Sequence, residues 1–226
     1  MRNIKLLKKI TIDALFIALL IIFTFVPYVG YITIGPISFT TIHVIVLVSA
    51  ALFGVRESTL FGFVFGFLSL LKALQFPSTV DYFFVNPFIS ILPRVLFGFL
   101  SGVSFDYLKK IKKFSLFISL VPVLAFILTI VHSFLTLTSL YVFGLLDVFN
   151  ISSMLGLGTL INDFLKAYPT FIIFIGANVT VGALLEAVLA AIVVPSIYLA
   201  VNKIYHINNL SNTNENKKEW LWIIKI

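Results

Sequence analysis

The chain has 226 residues, of which 60% are hydrophobic and 11% charged, with a formal net charge of +7. A water-soluble domain of this length is nearer half apolar and cannot hide such a surplus in its core, so lipid must cover it, and the fold class is an all-α integral membrane protein. There are no cysteines, which removes disulfides, thiolate metal sites and cysteine nucleophiles.

The chain opens with MRNIKLLKKITIDALFIALL, which places Arg2, Lys5, Lys8 and Lys9 before an apolar run. No small-residue cleavage site follows, and the run is longer than a signal-peptide core. It reads as a retained first helix over 10–29, ended near Pro27 and Gly30. GYITIGPISF follows as a short loop. Further segments are expected at 40–53, 59–74, 86–105, 114–143 and 171–201, giving a six-transmembrane-helix bundle. Unbroken apolar runs of this kind exclude a β-barrel, which needs short alternating strands. The second and third segments are joined by the polar turn GVRES and fall short of the ~20 residues that a spanning helix needs. They extend into their loops or are covered by neighbours. The stretch 152–167 holds Ser152, Ser153, Asn162, Asp163 and Lys166. It is expected to be an amphipathic external helix or a folded loop. The expected division is a six-helix membrane domain over 1–205 and a polar tail over 206–226, which ends in EWLWIIKI.

Six spans put both termini on one side. Arg2, Lys5, Lys8, Lys9, Arg56, Lys109, Lys110, Lys112, Lys113, Lys203, Lys217, Lys218 and Lys225 all fall there. The positive-inside rule makes that side cytoplasmic. Lys72, Arg94 and Lys166 map to the opposite side, in or beside the longer loops 76–86 and 146–170. Long loops carry function, so an outer-side loop lid is expected.

Small residues recur at four-residue spacing: Ala14 and Ala18, Gly62 and Gly66, Gly98 and Gly102, then Ala183, Ala187 and Ala191. Such spacing lets helix backbones approach closely in lipid. It serves either packing inside the bundle or contact with a separate membrane partner.

Taken together, three stretches resemble one family. GPISFTTIHVIVLVSAALFGVRESTLFGFVFGFLSLLKA, with Thr40, Thr41, His43, Gly54, Gly62, Phe65 and Gly66, is similar to the second and third helices of the substrate-binding S components of energy-coupling factor (ECF) transporters. VNPFISILPRVLFGFLSG, with Pro87, Pro93, Arg94 and Gly98, is similar to the entry of the fourth helix. GANVTVGALLEAVLAAIVVPSIYLAV, with Asn178, Glu186 and Pro195, is similar to the sixth. The resemblance spans nearly the whole chain and points to the branch of pantothenate and pyridoxine or hydroxymethylpyrimidine carriers. It implies a subunit of a bacterial cell membrane that captures a water-soluble vitamin from outside. It also implies partners: a transmembrane coupling subunit and two cytoplasmic ATPases, which use the ATP. Small residues on the first helix dock the coupling subunit in that family, and Ala14 and Ala18 match them. The chain has no GxxxxGK[ST], so no cofactor is expected on it and it cannot bind ATP through a P-loop. No nucleic-acid partner is expected.

Arg94 is the foremost candidate for substrate binding, because a charge within a membrane segment marks function by default. Its guanidinium could hold a carboxylate bidentately, bond loop carbonyls to fix the lid, or snorkel to the interface. Glu186 lies mid-segment and needs a partner or a proton. It could take hydrogen bonds from a hydroxylated ligand or clasp His132 or a threonine of the fifth helix. Asn178 lies about two turns nearer the outer side on roughly the same face and by that depth is a better candidate for substrate binding. His43 and His132 are either packed hydrogen-bonding residues or ligand contacts. Their spacing forms no metal motif, so no metal site is expected. Tyr82, Phe83 and Phe84 sit beside Asp81 and Asn86 in the outer loop. They either line a pocket, with Tyr82 and Asn86 as substrate-binding candidates, or belong to an interfacial aromatic belt. An enzyme is disfavoured by the absence of HExxH and GxGD motifs. A self-sufficient secondary transporter would show repeated halves, and none is visible.

Overall fold

The computed structural model describes residues 2–34, 37–75, 81–145 and 171–211. It describes the side chains of all of these except 2–5, 33–34, 37–38, 81–82, 144–145, 171–180 and 204–211. The elements in chain order are α1 (Arg2–Phe25), β1 (Tyr31–Ile34), β2 (Ile37–Thr40), α2 (Ile42–Phe53) and α3 (Val55–Gln75). A 3-10 turn (Asp81–Val85), α4 (Pro87–Ser90), α5 (Leu92–Leu108), α6 (Phe114–Ser139), a π turn (Leu140–Leu145) and α7 (Phe171–Ser211) follow. Among the described residues, four helical stretches are long and apolar enough to cross a membrane: Val55–Gln75, Pro87–Leu108, Phe114–Phe143 and Val181–Lys203. The protein is a helical integral membrane protein.

Several expected boundaries move. The loop GYITIGPISF is an antiparallel hairpin, with Tyr31 opposite Thr40 and Ile34 opposite Ile37. Alternation of β-branched and aromatic residues in YITI and ISFT suits a strand, a signal hidden by the apolar helices on either side. The segment expected at 40–53 is helical only from Ile42. At 12 residues it is about 18 Å long, too short for a bilayer core of ~30 Å. It is nonetheless buried along its whole face set, Ile42–Ala51, because α1, α3, α5 and α7 enclose it. The segment expected at 86–105 is broken. Asn86 caps α4, and Pro93 in the first turn of α5 marks a second helix start. The turn GVRES shrinks to Gly54 alone, so Arg56 and Glu57 belong to α3. α7 continues to Ser211, past the expected segment end at 201.

Both glycine pairs serve packing inside the bundle. A Cβ on Gly62 would meet the Arg94 carbonyl and lie 3.2 Å from the Gly98 Cα, and one on Gly66 would lie 2.7 Å from the Ile91 Cα. α3 and α5 therefore touch backbone to backbone. Around them Phe61, Phe65, Phe97, Phe105, Leu47 and Val121 form the core. Leu15, Phe63, Phe99, Ile127, Phe134 and Ile192 point outward, as lipid-facing side chains do.

The two ends of the bundle differ. At one end, Lys9 pairs with buried Glu57 at 2.6 Å and ties α1 to α3. There Asp106 accepts the Val55 N–H at 3.3 Å. Lys109 reaches Asp106 at 3.3 Å and the Ala50 carbonyl at 3.2 Å, which places a cation at the C-terminus of α2. Burial lowers the Lys109 pKa from its ordinary value, against the pull of Asp106. Gly54 makes this turn with φ of 95°, a conformation that favours glycine. At the other end the hairpin covers the helix termini. The Tyr31 hydroxyl lies 3.1 Å from the Ser69 hydroxyl, and the Lys72 ammonium lies 3.5 Å from the centre of the Tyr31 ring.

Candidate functional site

Among the described residues, most of the buried side chains that have an unpaired polar atom gather at the hairpin end. Arg94 enters there because α5 starts one residue before Pro93. Gly62 lets the backbone at Arg94 lie against α3. The side chain is only 6% exposed. Its Nη1 donates to the Ile89 carbonyl, at the end of α4. Its guanidinium stands 5.0 Å from the centre of the Phe84 ring and 5.6 Å from that of Phe65, both cation–π distances. Its Nε has no hydrogen-bond partner. A buried cation with an unpaired donor is costly; a ligand anion would satisfy it.

Below Arg94, three helices bring His43, His132 and Glu186 together, with their ligand-type atoms all within 4.8 Å of one another. His43 opens α2 and is fully buried; His132 lies on α6 and Glu186 on α7, both almost fully buried. The two imidazoles stack at 5.4 Å with 13° between their planes. Phe97 packs 4.7 Å from His132, and Phe65 lies 5.9 Å away. Glu186 accepts the Thr40 N–H at 2.5 Å. Among the described residues, neither nitrogen of His132 has a hydrogen-bond partner, and neither does the Thr136 hydroxyl; His43 makes only a poorly aligned contact with the Thr40 backbone, and the Thr40 hydroxyl a poorly aligned one with Glu186. Thr136 shares a face of α6 with His132, four residues away. Thr129, one turn below His132, bonds back to the Ala125 carbonyl at 2.9 Å; Thr136 makes no such bond. The arrangement is a cluster of a few buried polar groups among aromatic side chains, the residue mix of a small-ligand pocket.

The structure places the sequence-predicted residues unequally. Arg94, His43 and Glu186 converge. His132, left open between packing and ligand contact, joins them. The clasp expected of Glu186 is made instead to the Thr40 backbone of the hairpin. Asn86 is occupied at both ends of its amide: its Oδ1 accepts the Phe88 N–H at 3.0 Å, and its Nδ2 donates to the Phe143 carbonyl at 3.4 Å. It shapes the loop as a helix cap. The side chains of Tyr82 and Asn178, and Lys166 in the loop 146–170, lie outside the described residues. Ala14 and Ala18 are exposed on α1, so neither packs inside the bundle. Thr136 was missed: a hydroxyl within an apolar helix gives no sign in sequence whether it bonds its own backbone. The expectation against a metal rested on sequence spacing, which cannot see two histidines and a glutamate meeting from three helices.

The chain matches the model of the family described as ECF transporter, substrate-specific component, over residues 8–198. It is also 30% identical over 112 residues to the pantothenate transporter PanT of Leuconostoc mesenteroides subsp. mesenteroides; the match covers 47% of this chain and 55% of that protein. The chain thus spans about half the length of the curated relative it matches. By the family match, the chain belongs to the ECF transporter substrate-specific components.

Proposed function

We propose that this ECF substrate-specific component captures a water-soluble vitamin at the hairpin end of its bundle and hands it inward when docked to a coupling subunit and two ATPases. Pantothenate is the first candidate; a pyridoxine- or hydroxymethylpyrimidine-like compound is the second. One observation carries the reading: a buried arginine with an unpaired donor stands over a set of unpaired polar atoms in an otherwise apolar bundle. Pantothenate carries a carboxylate for the arginine and hydroxyls for the remainder. The name of the partial relative favours the same vitamin.

In this reading the chain crosses the membrane six times, with the Lys9–Glu57 end and both termini cytoplasmic. α1 counts as a span although Lys8, Lys9 and Asp13 crowd its first half. The short α2 and the hairpin together make another. The lysine-rich α5–α6 loop supports this orientation. Ala14 and Ala18, exposed on α1, form part of the docking face for the coupling subunit, where small side chains allow close approach.

The test is to purify the chain from cells grown with all three vitamins and identify the bound molecule by mass spectrometry. Stoichiometric pantothenate supports the first reading, and pyridoxine or hydroxymethylpyrimidine the second. A preparation that neither carries nor rebinds any of the three contradicts both.

A further inference from the structure

The stacked pair His43 and His132 has no task in holding the fold that its polar atoms would explain. Both ring nitrogens of His132 are buried and unpaired among the described residues, and His43 has only a poorly aligned contact with the Thr40 backbone, while Phe97 and Phe65 pack against the rings. A phenylalanine would fill the same space without stranding polar atoms. Resting on the reading above, we propose that His43 and His132 form a hydrogen-bonding subsite that reads the hydroxyl groups of the captured molecule, opposite Arg94, which takes its anionic group.

Donor and acceptor counting supports this orientation. A neutral imidazole has one donor and one acceptor, an ionised carboxylate only acceptors, and a guanidinium only donors. The Arg94 side of the site therefore offers donors. The His43–His132–Glu186 side is rich in acceptors. A carboxylate placed on the histidines would use only their donors and leave their acceptors stranded beside Glu186. A hydroxyl donates and accepts, and so satisfies both nitrogens. The unpaired hydroxyl of Thr136 extends the same surface.

A divalent metal is the rival occupant, since two histidines and a glutamate are metal-ligand types. The ligand-type atoms all lie within 4.8 Å of one another, so distance alone leaves the metal as a rival, and the ring arrangement and charge weigh against it. Rings tilted by only 13° run their in-plane lone pairs side by side. The Arg94 charge acts on His132 and on Glu186 and would repel a second cation.

The test uses the full chain in detergent, titrated calorimetrically with pantothenate, pyridoxine and hydroxymethylpyrimidine. Each is run beside analogues in which one hydroxyl is replaced by hydrogen. His43→Phe and His132→Phe keep the aromatic stack and remove the polar atoms. Each should weaken the hydroxylated vitamin about tenfold or more, as loss of a buried hydrogen bond does, and weaken at least one deoxy analogue much less. His132→Gln, which restores a donor and an acceptor, should recover part of the loss. Equal losses for vitamin and analogues, or unchanged affinity in both phenylalanine variants, would overturn the subsite while leaving the capture function standing. Zinc chloride titrated alone is the second arm. Tight one-to-one zinc binding that both phenylalanine variants abolish would overturn the subsite in favour of a metal centre. A wild-type chain that binds none of the three vitamins would overturn the capture function, and the subsite with it.

Discussion

Glu186 on α7 accepts the backbone N–H of Thr40 at 2.5 Å and so ties the last residue of the hairpin to the helix that crosses behind it. The hairpin is held at three further points: Tyr31 to Ser69, Lys72 over Tyr31, and the Thr41 hydroxyl donating to the Val29 carbonyl at 2.8 Å. Glu186→Ala leaves the Thr40 N–H without its acceptor, which costs about 1–3 kcal/mol. Glu186→Gln keeps an acceptor oxygen. The alanine variant should lose several degrees of Tm in detergent and become sensitive to protease in the 31–40 hairpin, while the glutamine variant stays near wild type. Equal behaviour of the two variants would mean that the bond does not hold the hairpin.

The contact of α3 with α5 predicts a contrast between glycines and alanines of the same spacing. Gly62→Ala and Gly98→Ala each push a methyl group into the backbone of the facing helix. Each should destabilise the chain by about 1–3 kcal/mol, the usual cost of overpacking. Ala14→Leu and Ala18→Leu, on the exposed face of α1, should leave Tm unchanged. The measurement is thermal unfolding of the purified chain. A stable Gly62→Ala protein would refute the close approach.

Docking through α1 predicts a split between binding and transport. With tryptophan at both positions 14 and 18, vitamin uptake by cells should be lost, because the bulk keeps the coupling subunit away. Binding to the purified chain should persist. If affinity falls together with uptake, the pair supports the fold rather than a partner.

Orientation can be read chemically, because the chain has no cysteine of its own. Single cysteines at Ser78 and at Lys110 should react with an impermeant maleimide from opposite sides of the membrane, Ser78 from outside. Labelling of both from the same side would contradict an outward hairpin end.

What the sequence made legible follows from what each signal depends on. The apolar runs are local features, and they place α3 and α6 well and the span that α4 and α5 share. The same apolarity hid the hairpin, because YITI and ISFT sit between helices of similar hydropathy. The break at Ile91 needed both the Asn86 cap and Pro93 to be read as helix starts. Arg94 stood out because a lone cation in an apolar run is rare. His132 was left open between packing and ligand contact and Thr136 was not singled out, since their meaning comes from their surroundings in three dimensions. Asn86 shows a structural task that its loop sequence did not reveal, because its amide caps a helix and reaches the Phe143 carbonyl.

The central claim is that Arg94 holds the captured anion, and the direct measurement is calorimetric titration of pantothenate into the wild type, Arg94→Ala and Arg94→Lys. A charge-assisted bond is worth roughly 1.5–3 kcal/mol, so Arg94→Ala should weaken binding about ten- to a hundredfold or more. Arg94→Lys should rescue poorly, because an ammonium lacks the planar fork of a guanidinium. Pantothenol, which carries an alcohol in place of the carboxylate, should bind wild type weakly and lose little further in Arg94→Ala. Unchanged pantothenate affinity in a folded Arg94→Ala protein would contradict the account and place the anion elsewhere.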